Sequence, residues 1–247
     1  MKIIGHRKSQ IEHAPAFPPV GFGIRNSQFA IRNSPAFTLI ELLVVIAVIG
    51  VLAAFTLTAL KSVKRTQYLQ TARGELEQIQ AALDNYKARY GFYPPANTNN
   101  FLLSPLFYEL SGTTIVGTDY VTLDGSSRIP VGSVFAAYGI GGIINCTKGS
   151  GEDAVLAKNF LPDLKPNRIF YPITNNTVPT TVLITSVRGP DVTYQPLGVS
   201  DVNPFRYLYP GVNNPNSYDL WIKLVISGKT YLVCNWSRQV QINSSLP

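Results

Sequence analysis

The stretch Pro35–Leu60 reads PAFTLIELLVVIAVIGVLAAFTLTAL, and the rest of the chain is read outward from it. From Phe37 to Leu60 the one charge is Glu41, and the other interruptions are Thr38, Gly50, Thr56 and Thr58. A hydrocarbon core takes about 20 residues of helix, so the run 37–60 is long enough to span a bilayer. The apolar region of an ordinary secretory signal is shorter, about 7–15 residues. Pro35 stands just ahead of the run, where proline is tolerated at a helix start. A carboxylate inside hydrocarbon costs on the order of 2.5–3.5 kcal/mol and is usually kept for function. Glu41 therefore asks for a partner.

Beyond Leu60 the helical register continues without a stop signal. Ala72, Leu76, Ile79, Leu83, Tyr86 and Tyr90 recur at steps of four and three, an apolar stripe on one helix face. Lys61, Lys64, Arg65, Arg73, Glu75, Glu77 and Lys87 fall largely off it. The pattern predicts one helix from about Thr38 to Tyr90, apolar all round at first and amphipathic over 61–95. Gly91 and then Pro94-Pro95 end it.

Residues 1–36 show no apolar periodicity and contain Pro15, Pro18, Pro19 and Pro35, with an echo in IRNSQFAIRNS at 24–34. They read as a disordered leader. Residues 96–247 change character again. Leu102–Leu110 suits a short helix. Strand-like runs follow at 114–123, 134–140, 180–187, 205–210, 218–226 and 230–236, separated by DGSS, GIGG, KGSG, NNPNS and SGK. The last two runs, joined through Ser227-Gly228-Lys229, read as a hairpin. DLKPNR at 163–168 reads as a loop. The fold class is α+β: a long N-terminal helix, then a head over 96–247 whose antiparallel sheet packs on the amphipathic stripe.

Composition narrows the function classes. Charged residues are 14% of the chain, with 19 glycines and 18 prolines, which suits a loop-rich extracytoplasmic domain. The net charge of +7 is concentrated at the front, where Lys2, Arg7, Lys8, Arg25 and Arg32 meet one acid, Glu12. Subtracting those from 21 basic and 14 acidic residues leaves 16 and 13 from Phe37 onward. No basic patch interleaved with aromatics stands out, so no nucleic-acid role is expected. Both histidines, His6 and His13, precede Phe37. A chain without its first 36 residues has no Ser-His-Asp or Cys-His catalysis and no imidazole for a metal, so no enzyme activity is expected. Cys146 and Cys234 either form a disulfide or remain two buried thiols, and their spacing leaves both open. Tyr207, Tyr209, Tyr218, Trp221 and Tyr231 read as packing residues of the strands.

The segment A-FTLIELLVVIAVIGVLAAF resembles the N-termini of type IV pilins and of type II secretion pseudopilins, over about 25 residues. The resemblance implies that prepilin peptidase cuts the Ala36–Phe37 bond. It implies that Phe37 becomes the N-methylated first residue, and that Glu41 is the family's acidic residue. Gly50 matches a common glycine, and Gly50, Ala53 and Ala54 would allow close helix packing. The new amine would lie one helical turn from Glu41, which would pair with it in the same chain or in a neighbouring subunit and so set the axial step of a fibre. Ala36 replaces the usual glycine, and Thr58 stands where many relatives have proline.

In the head, GFYPP (91–95) and NPFRYLYPGVNNPNSYDLW (203–221) with Asn235-Trp236 are similar to the major pseudopilin's head. There a calcium-binding loop lies between the corresponding strand and the NW pair. No Asp or Glu follows Asp219 in this chain, so its calcium ligands are not carried over and no metal or cofactor is expected. The block from about 97 to 200 is additional.

The resemblance implies a single-pass inner-membrane precursor with a cytoplasmic N-terminus and a periplasmic head. The nearby charges alone, Arg25 and Arg32 before the run against Lys61, Lys64, Arg65 and Arg73 after it, do not give that orientation. The partners implied are prepilin peptidase, other copies of this chain, other pilins or pseudopilins, and an inner-membrane assembly platform. Two other functions fit the same residues: a surface or DNA-uptake minor pilin, and a membrane-anchored periplasmic binding domain.

Overall fold

A computed structural model describes residues 37–149, 151–171, 180–188, 191 and 193–243, and of 56–61 the helical backbone alone. The expected leader, 1–36, lies outside the described residues. The chain divides into two units, Met1–Val51 and Leu52–Pro247, with the division inside the first helix.

Helix α1 runs Leu39–Tyr90, close to the expected bounds. Gly91, at φ +84°, ends it by donating its N–H to the Lys87 carbonyl at 2.8 Å, the left-handed cap that glycine adopts without strain. In the first unit every described residue of α1 is exposed. In the second unit the expected stripe is the spine of the core. Ala72, Leu76, Ile79, Leu83 and Tyr86 are each fully buried, and Tyr90 packs half-buried against the same cluster. Truncating one of the leucines to alanine would cost about 2–5 kcal/mol.

Against this stripe stands a four-stranded antiparallel sheet in the order β6-β7-β8-β9, made of Arg206–Leu208, Asp219–Ile226, Lys229–Cys234 and Gln241–Ile242. The expected hairpin is present. Its loop is Ser227-Gly228, with φ of +53° and +72°, and Lys229 already pairs with Ile226. Positive φ at both loop positions matches the right-handed strand twist. Alternation sorts the sheet's two faces. Tyr207, Leu220, Ile222, Leu224, Tyr231 and Val233 enter the main core. The opposite face carries Leu208, Trp221, Leu232 and Cys234, which form a second cluster closed by Phe101 and Trp236. With both faces covered, β7 reads as a nearly continuous apolar strand.

The rest of the head is built from short elements. Helix α2 is Leu106–Ser111, and β1 (Thr113–Val116), β2 (Asp119–Thr122) and β3 (Arg128–Pro130) form an antiparallel meander. The run 114–123 is thus a hairpin, not one strand, because Gly117 (φ +64°) and Thr118 turn the chain between Val116 and its partner Asp119. The expected strand at 134–140 is instead a helix, α3, Val134–Tyr138. Val134, Ala137 and Tyr138 are buried at helical spacing, and Gly139 (φ +68°) caps the end. Of 180–187, only Val182–Leu183 is a strand, β5, paired with β4 at Ile169–Phe170. The expected loop at 163–168 contains a 3-10 turn at Pro166–Arg168.

Several polar residues of α1 are structural. Arg73 donates to the carbonyls of Cys234 (2.6 Å), Ser237 (3.0 Å) and Arg238 (3.1 Å) at the end of β8. Glu75 pairs with Arg168 at 3.7 Å and accepts from the Ser186 N–H and from the hydroxyls of Thr185 and Ser186. These two residues stitch α1 to two separate segments of the head, 234–238 and the residues Arg168, Thr185 and Ser186.

At the far end of α1, Glu109 of α2 is fully buried. It accepts from the Tyr86 hydroxyl at 2.9 Å and from the N–H groups of Ile144 and Asn145 at 2.8 and 3.0 Å. The Asn145 side chain extends the network, donating to the carbonyls of Glu109 and Lys158 and accepting from Tyr90.

Candidate assembly site

Of the residues singled out at the N-terminal end, Ala36 lies outside the described residues and Phe37 is 78% exposed. Glu41 sits in the first turn of α1. Its Oε2 accepts the Thr38 N–H at 2.9 Å and the Thr38 hydroxyl at 2.7 Å, while the Glu41 N–H donates to Thr38 Oγ1 at 3.3 Å. This is a capping box: the N-cap side chain and the acid three residues on satisfy each other's backbone donors. Glu41 therefore has a role in its own chain before any second subunit is considered. The sequence carries the signal for this cap as Thr38-x-x-Glu41, the spacing of a capping box.

Past Glu41, Leu42, Val45, Ile46, Ile49 and Leu52 are all about half exposed or more. They are part of an all-round apolar surface, far larger than the scattered exposed apolar residues of ordinary soluble domains. Gly50, Ala53 and Ala54 share one helix face by their spacing and are exposed. A side chain added at Gly50 would meet open space. Among the described residues, no helix is long and apolar enough to cross a membrane. The expected span, 37–60, includes residues 56–60, whose side chains are not described.

The structure keeps Cys146 and Cys234 apart chemically. Both are free and buried, the first in the main core and the second in the cluster on the other face of the sheet. Of the two alternatives, two buried thiols is the arrangement seen in the structure. Among the described residues, no group of three His, Cys, Asp or Glu residues stands close enough to hold a metal ion.

The end of the NNPNSYDLW segment is organised by a buried carboxylate. Asp219, 1% exposed, accepts the N–H groups of Val212, Asn213 and Asn214 at 2.9, 2.8 and 3.0 Å, and the Asn213 side-chain amide at 3.0 Å. The loop wraps so closely that a Cβ on Gly211 would lie 2.6 Å from Asp219 Oδ1. Gly211→Ala is expected to lower stability by about 1–3 kcal/mol through that overlap, read as a lower urea midpoint at an unchanged slope.

Two comparisons fall on the class of protein that this N-terminal end defines. The family model for the prokaryotic N-terminal methylation motif matches residues 31–57. The chain therefore carries that motif. Type II secretion system core protein G of Pseudomonas aeruginosa is 38% identical over 63 residues, which make up 26% of this chain and 44% of that protein. The match thus spans less than half the length of that relative. No solved structure matches the chain.

Proposed function

We propose that this chain is a structural subunit of a type II secretion pseudopilus or a related type IV pilus-like fibre. The observation that carries the reading is an exposed, all-apolar helix that opens with a capped carboxylate, inside a methylation motif. Such a surface needs a cover, and lipid and neighbouring helices are the two covers a fibre subunit meets in turn. In the membrane, the helix over 37–60 spans the bilayer as a single pass, with the head on the periplasmic side. In the fibre, the same surface packs against other copies and related subunits, with Gly50, Ala53 and Ala54 on a contact face. Delivery to the fibre requires an inner-membrane assembly platform.

Prepilin peptidase cuts between Ala36 and Phe37, and Phe37 is then N-methylated. The methylated amine stays cationic. Glu41 neutralises it within the chain or across to the next subunit, and the second choice fixes the axial register. Mass spectrometry of the N-terminal peptide from membranes tests the reading. A mature chain beginning at methylated Phe37 is expected. An intact leader, or a cut after residue 60, would defeat it.

A further inference from the structure

The outer face of the four-stranded sheet holds a small cavity of about 200 Å³ beside the second apolar cluster. Its walls are Arg206 of β6, Trp221 and Lys223 of β7, and Asn99–Leu102 of the loop that follows α1. The register explains why the two cations meet. Arg206 is paired with Trp221, and Lys223 lies two residues further along the same face. The loop wall is pinned by its own bonds, with Asn97 Oδ1 accepting the N–H groups of Asn99 and Asn100 at 3.1 and 3.0 Å. Phe101 packs on Trp221, with ring centroids 5.7 Å apart, and gives the cavity an apolar floor.

The electrostatics of this cavity are incomplete. Arg206 is 8% exposed, yet among the described residues its guanidinium donates to neutral oxygens, the Pro204 carbonyl and the Tyr194 hydroxyl. Among the described residues, neither Arg206 nor Lys223 has a carboxylate within ion-pair distance; the ion pair in that set is Arg168–Glu75. Burial lowers the affinity of both side chains for their protons, and the Arg206 charge lowers that of Lys223 further. A buried cation without a counter-ion is costly, and two side by side more so. Bidentate acceptance by a carboxylate is what a guanidinium fork fits best.

The chain itself supplies a complementary group. Glu152-Asp153 is the one place in the sequence where two acids are adjacent. Both are exposed on a 3-10 turn at Gly151–Asp153. Neither acid lines the cavity, and the turn is held in a loop closed by the Lys148–Val155 pairing. Two complementary but non-identical patches on one chain make a head-to-tail contact, which propagates as an open helical array when it does not close into a ring. We propose that the Arg206–Lys223 cavity receives the Glu152-Asp153 turn of a second copy of this chain. The volume admits one acidic side chain, with the second acid at the rim. This proposal rests on the fibre-subunit reading and adds a contact between heads to it.

Carbodiimide coupling tests the contact, because it condenses a carboxylate with a neighbouring amine, losing water, only where the two already touch. Full-length processed chains, one pool at natural abundance and one labelled with nitrogen-15, are co-assembled, coupled and digested. The expected product is a mixed-isotope peptide pair joining Lys223 to Glu152 or Asp153. Lys223→Glu should cut tenfold or more the association of heads, read by a second cross-link through other lysines. Combining it with Asp153→Lys alone, which leaves Glu152 for Arg206, should restore that association. Normal processing and assembly with no mixed-isotope link at Lys223 would overturn the proposal and leave the fibre reading standing. A link from Lys223 to a carboxylate elsewhere, or no rescue by the charge swap, would also overturn it. A chain that is neither cut before Phe37 nor assembled would instead sink the fibre reading.

Discussion

Glu41→Ala is expected to leave the cut before Phe37 intact while removing the subunit from fibres. The substitution takes away two things that can be separated. One is the capping box with Thr38 at the helix start. The other is the negative charge available to the amine at Phe37. Losing one partner of a hydrogen-bonded charge pair that assembly desolvates weakens association by roughly thirtyfold or more. Incorporation should therefore fall thirtyfold or more, measured as the ratio of fibre-borne to membrane-borne subunit. Glu41→Gln tells the two losses apart, because a glutamine at the third helical position still caps. If the charge matters, the glutamine variant assembles as poorly as the alanine variant. If both variants assemble normally, the pairing idea is wrong and Glu41 is a cap alone.

Glu109→Ala is expected to be the most damaging single change in the head. It would leave the Tyr86 hydroxyl and the N–H groups of Ile144 and Asn145 without their acceptor. Removing one member of a buried charged network costs about 3–5 kcal/mol, which for a chain of this size lowers the melting temperature by on the order of 10 °C. The pH dependence carries a second signature. Burial raises the Glu109 pKa above its ordinary 4.5, against the opposing effect of the hydrogen bonds from Ile144, Asn145 and Tyr86. The native state then holds this proton more tightly than the unfolded state does. Stability falls as pH rises from about 4.5 through the raised value, and the loss is complete above it. Glu109→Gln, which cannot ionise, should lack that slope in urea midpoints taken across the interval. A wild-type profile that is flat there and falls instead as pH drops below about 4.5, with that fall absent from the glutamine variant, would show that the carboxylate is held ionised.

Helical periodicity carried much of the second unit. Ala72, Leu76, Ile79, Leu83 and Tyr86 were legible because a buried helix face must repeat every three or four residues, whatever packs on it. The hairpin at Ser227-Gly228 was legible because its turn is local. Other elements were not. Val134–Tyr138 carries strand-favouring residues, and only its burial at helical spacing and the glycine cap reveal a helix five residues long. Glu109, Arg206 and Lys223 look like surface charges in the sequence, since burial is a property of the assembled fold. Arg73 and Glu75 were placed off the apolar stripe, and their true partners lie more than ninety residues away. At the candidate site the motif and Glu41 were legible, and the bond from Thr38 has its own signal in the Thr-x-x-Glu spacing.

The two thiols have a use that follows from their separation. Cys146 lies in the main core and Cys234 under Trp221 and Trp236 on the sheet's other face. Burial also keeps the Cys234 thiol protonated, by raising its pKa, and a thiol reagent reacts with the thiolate. Each cysteine can then be labelled only when its own cluster opens, so the pair forms a built-in two-channel recorder of local unfolding. Comparing the two labelling rates before and after assembly would report which half of the head stiffens when subunits meet, with no added probe.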